Sequence, residues 1–212
     1  MLKKFDLHYI DFKKLPDMPI IVDAGACFGK YVKMIKERVP ESKIIAIECD
    51  KDNLKVLRKE LSSDVIICNK ALVGNHQGKK LTYYKYIGLP YSGSVGYEKT
   101  YIKNYRKYKG MLKYEVETLG INDIFSEFGI DRVDYLKMNI EGIERDILAA
   151  MTKETASRIF QISLSIHTRI RDDLDFSSLK ASAGIDLLER LRELGFNAEK
   201  VDRRLMYGVR EA

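Results

Sequence analysis

Acidic, amide and imidazole side chains stand where the apolar runs of this 212-residue chain stop. Asp23 closes Ile20-Ile21-Val22 and opens the pattern Asp23-x-Gly25-x-Cys27-x-Gly29. Glu48 follows the run at 43–47, and Asn69 follows Val65-Ile66-Ile67-Cys68. Asn139 and Glu141 follow VDYLKM (133–138), and His167 follows IFQISLSI (159–166). If these runs are parallel strands, their C-termini face one crevice and the six residues gather on one edge. Gly25 and Gly29 let the backbone turn sharply and approach a ligand, with the positive end of a following helix behind it. Glu48 lies 19 residues past Gly29, the spacing at which an acid reaches the two hydroxyls of a ribose.

A dinucleotide fingerprint needs a middle glycine against the pyrophosphate, and Cys27 occupies that region here. An acid at the strand end repels a pyrophosphate yet accepts hydrogen bonds from an ammonium group. A ligand with a ribose, an adenine, an ammonium and no phosphate is S-adenosylmethionine, and the stretch reads as a Rossmann-like site for it. The glycine spacing argues against a nicotinamide oxidoreductase. The plainer alternative is a strand–turn–helix with incidental glycines. Asp23 either binds the methionine ammonium or positions the loop. Asn69 is a candidate for the adenine amino edge, or an ordinary turn asparagine.

The elements that must hold these groups follow from periodicity and caps. Residues 20–24 read as a buried strand, 28–38 as a helix ended by Pro40, and 43–47 as a second strand. Asp50 to Asn53 offer caps for a helix to about 61, and 64–68 form a third strand. Residues 73–78 (VGNHQG) read as a turn that leaves His76 exposed, and 79–87 as an edge or hairpin strand. The segment 83–114 breaks the pattern with nine of the 13 tyrosines, interleaved with lysines. Tyr101, Tyr105 and Tyr108 fall on one face of a short helix. Such a segment is either an acceptor-binding lid or a tyrosine stripe packed on the body. Strands follow at 114–119, 133–138 and 159–166, helices at 122–128, 144–151 and 184–195, and a closing hairpin at 196–201 and 205–209. Residues 1–18 are an apolar and basic lead-in that either packs on the domain or covers the site.

Composition sets the class. The length suits a single domain, 1–212, with a full core. The 45% hydrophobic content is that of a globular protein. No apolar run approaches the length of a membrane span, and the N-terminus lacks a long apolar signal core, so a soluble, cytoplasmic protein is expected. Three cysteines, Cys27, Cys49 and Cys68, make neither a disulfide framework nor a zinc site. A net charge of +6 permits an acidic partner without demanding one.

The chain resembles the FkbM family of S-adenosylmethionine-dependent methyltransferases over roughly residues 19–170. The matching pieces are IVDAGACFGKY, against a D-x-G-A-x-x-G-x-Y run; AIECD; KALVGNHQG; and VETLGINDIFSEFGIDRVDYLKMNIEGIERDILAAM, which carries a D-x-L-K-x-D-x-E-G block. The resemblance implies an α/β, Rossmann-like class I methyltransferase fold. Its mostly parallel seven-stranded sheet carries an antiparallel C-terminal hairpin strand and helices on both faces. It adds Ala26 and Cys49 to the cofactor contacts Asp23, Gly25, Gly29, Glu48 and Asn69. Two positions depart from the pattern: Asn139 replaces an aspartate, and Cys49 a usual proline.

Membership implies O-methylation of a hydroxyl on a sugar, a glycan or a small metabolite. The catalytic candidates are His167, Glu141, Lys137 and Asn139. His167 is either the base or a strand-end cap. Glu141 orients the histidine, binds a sugar hydroxyl or, with Asn139, holds a divalent ion, for which one carboxylate and one amide are a poor ligand set. Lys137 neutralises Glu141 or pairs with an acidic acceptor. Two rival readings stand beside this one. One is an RNA methyltransferase, although no Asn/Asp-Pro-Pro-aromatic run occurs. The other is a non-catalytic S-adenosylmethionine-binding module, suggested by Asn139. Oligomeric state leaves no mark in the sequence.

Overall fold

The computed structural model of the chain describes residues 2–75, 79–89, 93–96, 98–99, 103–167 and 186–210. It opens with an antiparallel hairpin of β1 (Lys3–Phe5) and β2 (His8–Ile10). Then come β3 (Ile20–Ala24), α1 (Lys30–Arg38), β4 (Lys43–Ile47), α2 (Lys51–Glu60) and β5 (Ile66–Cys68). A second group comprises β6 (Ala71–Val73), β7 (Lys80–Tyr86), β8 (Ser94–Val95) and β9 (Met111–Gly120). The chain continues through α3 (Ile124–Phe128), β10 (Val133–Met138), α4 (Glu144–Ala150), α5 (Lys153–Ser157) and β11 (Ile159–Ser165). It ends with α6 (Leu187–Glu193), β12 (Asn197–Asp202) and β13 (Leu205–Val209).

The main sheet has seven strands in the order β12-β13-β11-β10-β3-β4-β5. Pairing is parallel from β11 through β5, and β13 runs antiparallel to both of its neighbours. This is the expected mostly parallel sheet with an antiparallel hairpin strand. Along β3 and β4, Val22, Ala24, Ile45 and Ile47 face a core shared with Ile147 and Leu148 of α4 and Leu187 and Leu191 of α6. Ile21, Ile44 and Ala46 face the other way, against Val32 and Ile35 of α1 and Leu54 and Leu57 of α2. With both faces covered, the strands read as continuous apolar runs rather than alternating ones.

The helix starts and the middle of the chain differ from the sequence expectation. Helix α1 begins at Lys30, not residue 28, because Gly29 is left-handed at φ 76° and cannot continue a right-handed turn. A 3-10 turn over Ile121–Asp123 stands where α3 was expected to begin. No α-helix forms over the described residues 103–108 of the expected tyrosine helix. Tyr101 lies outside the described residues, as does His76, and 103–107 are a 3-10 turn and loop. So short a segment with little buried apolar surface cannot offset helix nucleation. The ends of the tyrosine-rich stretch are strands, as expected, although β9 begins at Met111, three residues before the expected start. Strand β7 pairs antiparallel with β9, and β6, which the sequence did not mark and which takes in Val73 of the expected 73–78 turn, pairs parallel with β9. The resulting four-stranded sheet packs Val73, Tyr83, Val95 and Val116 against Ile143, Ile140 and Cys49. The lead-in also takes a defined place, with Phe5, Ile10 and Phe12 in the core that holds α1.

Helix α2 is capped as its sequence suggests. Asp50 accepts hydrogen bonds from the Asp52 and Asn53 N–H groups at 2.8 and 3.2 Å, and the Lys85 ammonium of β7 reaches the same carboxylate at 2.9 Å. Asp50→Ala removes the cap and one of the two carboxylates that hold Lys85, the other being Asp52, and should lower stability by about 1–2 kcal/mol. Asp50→Asn keeps the cap and should lose less than half of that; urea denaturation compares the two.

Candidate active site

The turn after β3 is built from three left-handed residues: Gly25 at φ 78°, Cys27 at 52° and Gly29 at 76°. A Cβ on Gly25 would stand 2.1 Å from the Asn139 carbonyl oxygen, so only glycine lets this turn pass beside β10. The Gly25 and Ala26 N–H groups donate to the Ile47 carbonyl at 3.0 and 3.1 Å, and the Asn139 N–H donates to the Ala24 carbonyl at 3.0 Å. Glu48, nearly buried, closes the other side. Its Oε2 accepts from the Cys27 N–H at 2.8 Å, and its Oε1 accepts from the Cys49 and Asp50 N–H groups at 2.9 and 2.7 Å. Burial pushes the Glu48 carboxyl up, against the Asp50 and Cys27 N–H groups and the Asn53 side chain, which pull it down. Burial and the Glu48 charge also raise the Cys27 thiol, to about 11, and the Cys49 thiol well above its usual value. Both are neutral thiols and poor nucleophiles.

Asp23 and Lys137 are register partners on β3 and β10, so both point to the α1 side of the sheet. The Lys137 ammonium lies 2.7 Å from Asp23 Oδ1. The approach is off the hydrogen-bonding direction, so charge rather than a directed bond holds the pair. Lys137 Nζ also donates to the Gly25 carbonyl at 2.9 Å. At 1% exposure Asp23 is sealed beneath the loop. Of its two expected roles the geometry supports loop positioning. Lys137 differs from expectation: its carboxylate partner is Asp23, not Glu141, and it is turned away from the cavity.

Past β10 the chain turns through Glu141, left-handed at φ 63°. Glu144 of α4, 2% exposed, holds this turn by accepting from the Ile140 N–H at 3.2 Å and the Gly142 N–H at 2.8 Å. His167, beyond β11, bridges the two acids, with Nδ1 2.7 Å from Glu144 Oε1 and Nε2 3.5 Å from Glu141 Oε1. Glu141 Oε2 accepts from Lys99 Nζ at 2.6 Å. Burial alone would lower the His167 pKa, but Glu144 and Glu141 outweigh it and raise it to about 10. Burial would raise Glu141, but His167 and Lys99 outweigh that and lower it to about 2. His167 is therefore an imidazolium near neutral pH with both N–H groups engaged. Carboxylates face both ring nitrogens, which is the geometry of the strand-end cap among the two expected roles.

These groups line a cavity of about 840 Å³. Gly25, Cys27, Glu48, Cys49 and Asn53 form one end. Asn139, Glu141 and His167 occupy the middle. Tyr83, Ser94, Val95, Lys99 and Tyr105 come from the four-stranded sheet and its loops, and Lys4 and Leu7 from the first hairpin. Asn69 is not brought in; it is exposed and borders a separate groove with Glu117 and Phe128, while Ala71 and Leu72 line the cavity in its place. Ala26 is buried behind the turn. Sequence reasoning missed Glu144, Lys99 and Asn53. The doublet Glu141-x-x-Glu144 was a visible signal for the first, whereas nothing local marks Lys99 among its neighbours.

The His167 clamp carries a pH signature. A histidine whose folded pKa lies at about 10 against 6.5 unfolded adds stability that is complete below 6.5 and vanishes as pH rises through 10. Urea denaturation of wild type and His167→Gln should show a stability gap at pH 6 that shrinks steadily toward pH 10. A constant gap would contradict the imidazolium.

Residues 23–198 match the Methyltransferase FkbM domain. The methyltransferase sdnD of Sordaria araneosa is 30% identical over 71% of this chain and 67% of that protein. The AMB antimetabolite synthetase AmbE of Pseudomonas aeruginosa is 22% identical over 83% of this chain, which spans only 10% of that protein's length. Among solved structures, the fibrillarin pre-rRNA processing protein of Methanococcus jannaschii aligns with a TM-score of 0.49 and 12% identity, covering 100% of this chain and 71% of that one. The N-terminal domain of EvdMO1 with SAH bound aligns with a TM-score of 0.47 and 13% identity, covering 94% and 78%. The extent of the domain match and the sdnD identity set the assignment: this chain belongs to the FkbM family of S-adenosylmethionine-dependent methyltransferases.

Proposed function

We propose that the chain transfers the methyl group of S-adenosylmethionine to a hydroxyl oxygen of a sugar, a glycan or a small metabolite. The residues at the glycine end suit the cofactor. Three backbone N–H groups fill three of the roughly four acceptor positions of the Glu48 carboxylate, and the Asn53 side chain is its remaining partner. A ribose hydroxyl exchanges with Asn53, since the backbone donors are fixed. Gly25 lets the turn pass beside β10 at the cavity's edge, Gly29 lets it pass against Leu57 and Leu61 at the end of α2, and the Asp23–Lys137 pair keeps the turn in place. When bound, the cofactor supplies a sulfonium methyl that is already a strong electrophile.

The place of Glu141 carries the choice of a hydroxyl: its carboxylate lines the cavity as a hydrogen-bond acceptor, held by Lys99 at 2.6 Å and His167 at 3.5 Å. A carboxylate held at about 2 cannot deprotonate an amine acceptor, whose conjugate acid is like that of lysine at about 10.4. A hydroxyl needs no strong base. As its oxygen bonds to the methyl carbon and the sulfur–carbon bond breaks, the oxygen becomes a strongly acidic oxonium, and its proton passes to Glu141 and on to water. Glu141 then acts chiefly by accepting the hydroxyl hydrogen bond and aligning the oxygen. Lys99 and His167 hold the carboxylate in place while it does so.

Two outcomes are expected. Glu48→Ala should weaken S-adenosylmethionine binding by about tenfold or more in calorimetric titration, roughly the 1.4 kcal/mol of a hydrogen bond to a charged group. Glu141→Gln should leave that affinity near wild type and lower kcat by about 10²-fold or more. The acceptor class is tested with methyl-labelled cofactor and a deproteinised cell extract. Label in a ribonuclease-resistant carbohydrate or small-molecule fraction is expected, and label lost on ribonuclease treatment would overturn the proposal in favour of RNA.

A further inference from the structure

The charged groups around the cavity are matched with two exceptions. Lys4 Nζ lies 3.3 Å from Asp202, Lys99 Nζ 2.6 Å from Glu141, and His167 Nδ1 2.7 Å from Glu144; Lys70 pairs with Glu127. Arg203 and Arg204 also line the cavity, are exposed, and have no acidic partner among the described residues. They form the turn between β12 and β13, and that turn is fixed. Asp202 Oδ1 accepts the Arg204 N–H at 2.8 Å, and the Arg204 carbonyl accepts the Ile166 N–H at 2.6 Å, one residue before the His167 clamp. The two guanidinium groups are thus carried on a backbone tied to the catalytic edge.

Their place along the sheet separates them from the cofactor end. The turn adjoins β13, and β11 and β10 stand between β13 and β3, where the glycine turn begins. Three strand spacings amount to about 14 Å. Glu141 and His167 lie between the two ends. A guanidinium presents a planar fork that matches carboxylate and phosphate oxygens, and a neutral sugar hydroxyl gives two adjacent forks no comparable partner.

Resting on the hydroxyl-transfer reading, we propose that Arg203 and Arg204 form an anion subsite for the acceptor. The molecule methylated carries a carboxylate or a phosphate besides its reacting hydroxyl. The anion docks on the β12–β13 turn and the hydroxyl reaches back to Glu141. The subsite sets acceptor affinity and takes no part in holding the cofactor.

The test uses the full chain saturated with S-adenosylhomocysteine. Glucose 6-phosphate, glucuronate and glucose are titrated as probes at low ionic strength, with the wild type and an Arg203→Gln/Arg204→Gln double variant. Both anions, or one of them, should bind at least about tenfold more tightly than glucose, and the preferred one separates phosphate from carboxylate recognition. The double variant should lose that preference while its S-adenosylhomocysteine affinity, which also reports an intact fold, stays within about twofold of wild type. No preference for either anion, a preference the variant keeps, or an equal fall in S-adenosylhomocysteine affinity would overturn the subsite; the last would give the arginines to the cofactor's own carboxylate. An anion preference lost in the double variant, in a protein that methylates no hydroxyl, would sustain the subsite and fail the transfer reading instead.

Discussion

The arrangement depends first on a buried pair of opposite charges under the glycine turn. Asp23 and Lys137 sit opposite one another on adjacent central strands, both almost wholly out of water. Neither is tolerable alone, since a buried charge without its counterion costs several kcal/mol. Together they fix more than themselves, because the same ammonium holds the Gly25 carbonyl. The turn is then tied at three points: to Lys137 below, to Ile47 of β4, and to Glu48 through the Cys27 N–H. Left-handed backbone at three of five positions is costly for any residue but glycine, and persists because these ties over-determine it.

The second half of the site uses charge differently. Glu141, Glu144, His167 and Lys99 make two negative and two positive groups within a few ångströms, drawn from three separate parts of the chain. Net neutrality lets such a cluster sit at a cavity wall without a large desolvation cost, and bidentate anchoring makes it stiff. The cost is basicity: the partners that hold Glu141 also stabilise its charge.

Much of this was legible in the sequence because it follows from short-range rules. Residues 133–138 and 205–209 are strands with the expected bounds, and Asp50 caps α2 as its position suggested. What the sequence hid was pairing at long range. Asp23 and Lys137 meet only through the register of two strands separated by 114 residues, so Lys137 was read with the nearer Glu141. Counting by twos along Val133–Met138 would have placed it beside Tyr135, on the α1 side, away from Glu141. His167 was legible as a strand-end residue at the crevice but not as the partner of two carboxylates, which another loop delivers. The tyrosine-rich stretch was legible at its two ends, read as strands and found as β7 and β9, whereas the periodicity of Tyr105 and Tyr108 between them suggested a helix where residues 103–107 form a 3-10 turn and loop.

The four-stranded sheet packs its apolar face on Cys49, Ile140 and Ile143 and sends Lys99 to Glu141. That wall of the cavity, which would face the acceptor on the hydroxyl-transfer reading, is therefore carried by segments that supply none of the strands β3, β4 and β10 around the glycine turn. A change of loop length or side chain in that wall leaves the ties of the glycine turn untouched, so the two ends of the cavity are built as separable parts.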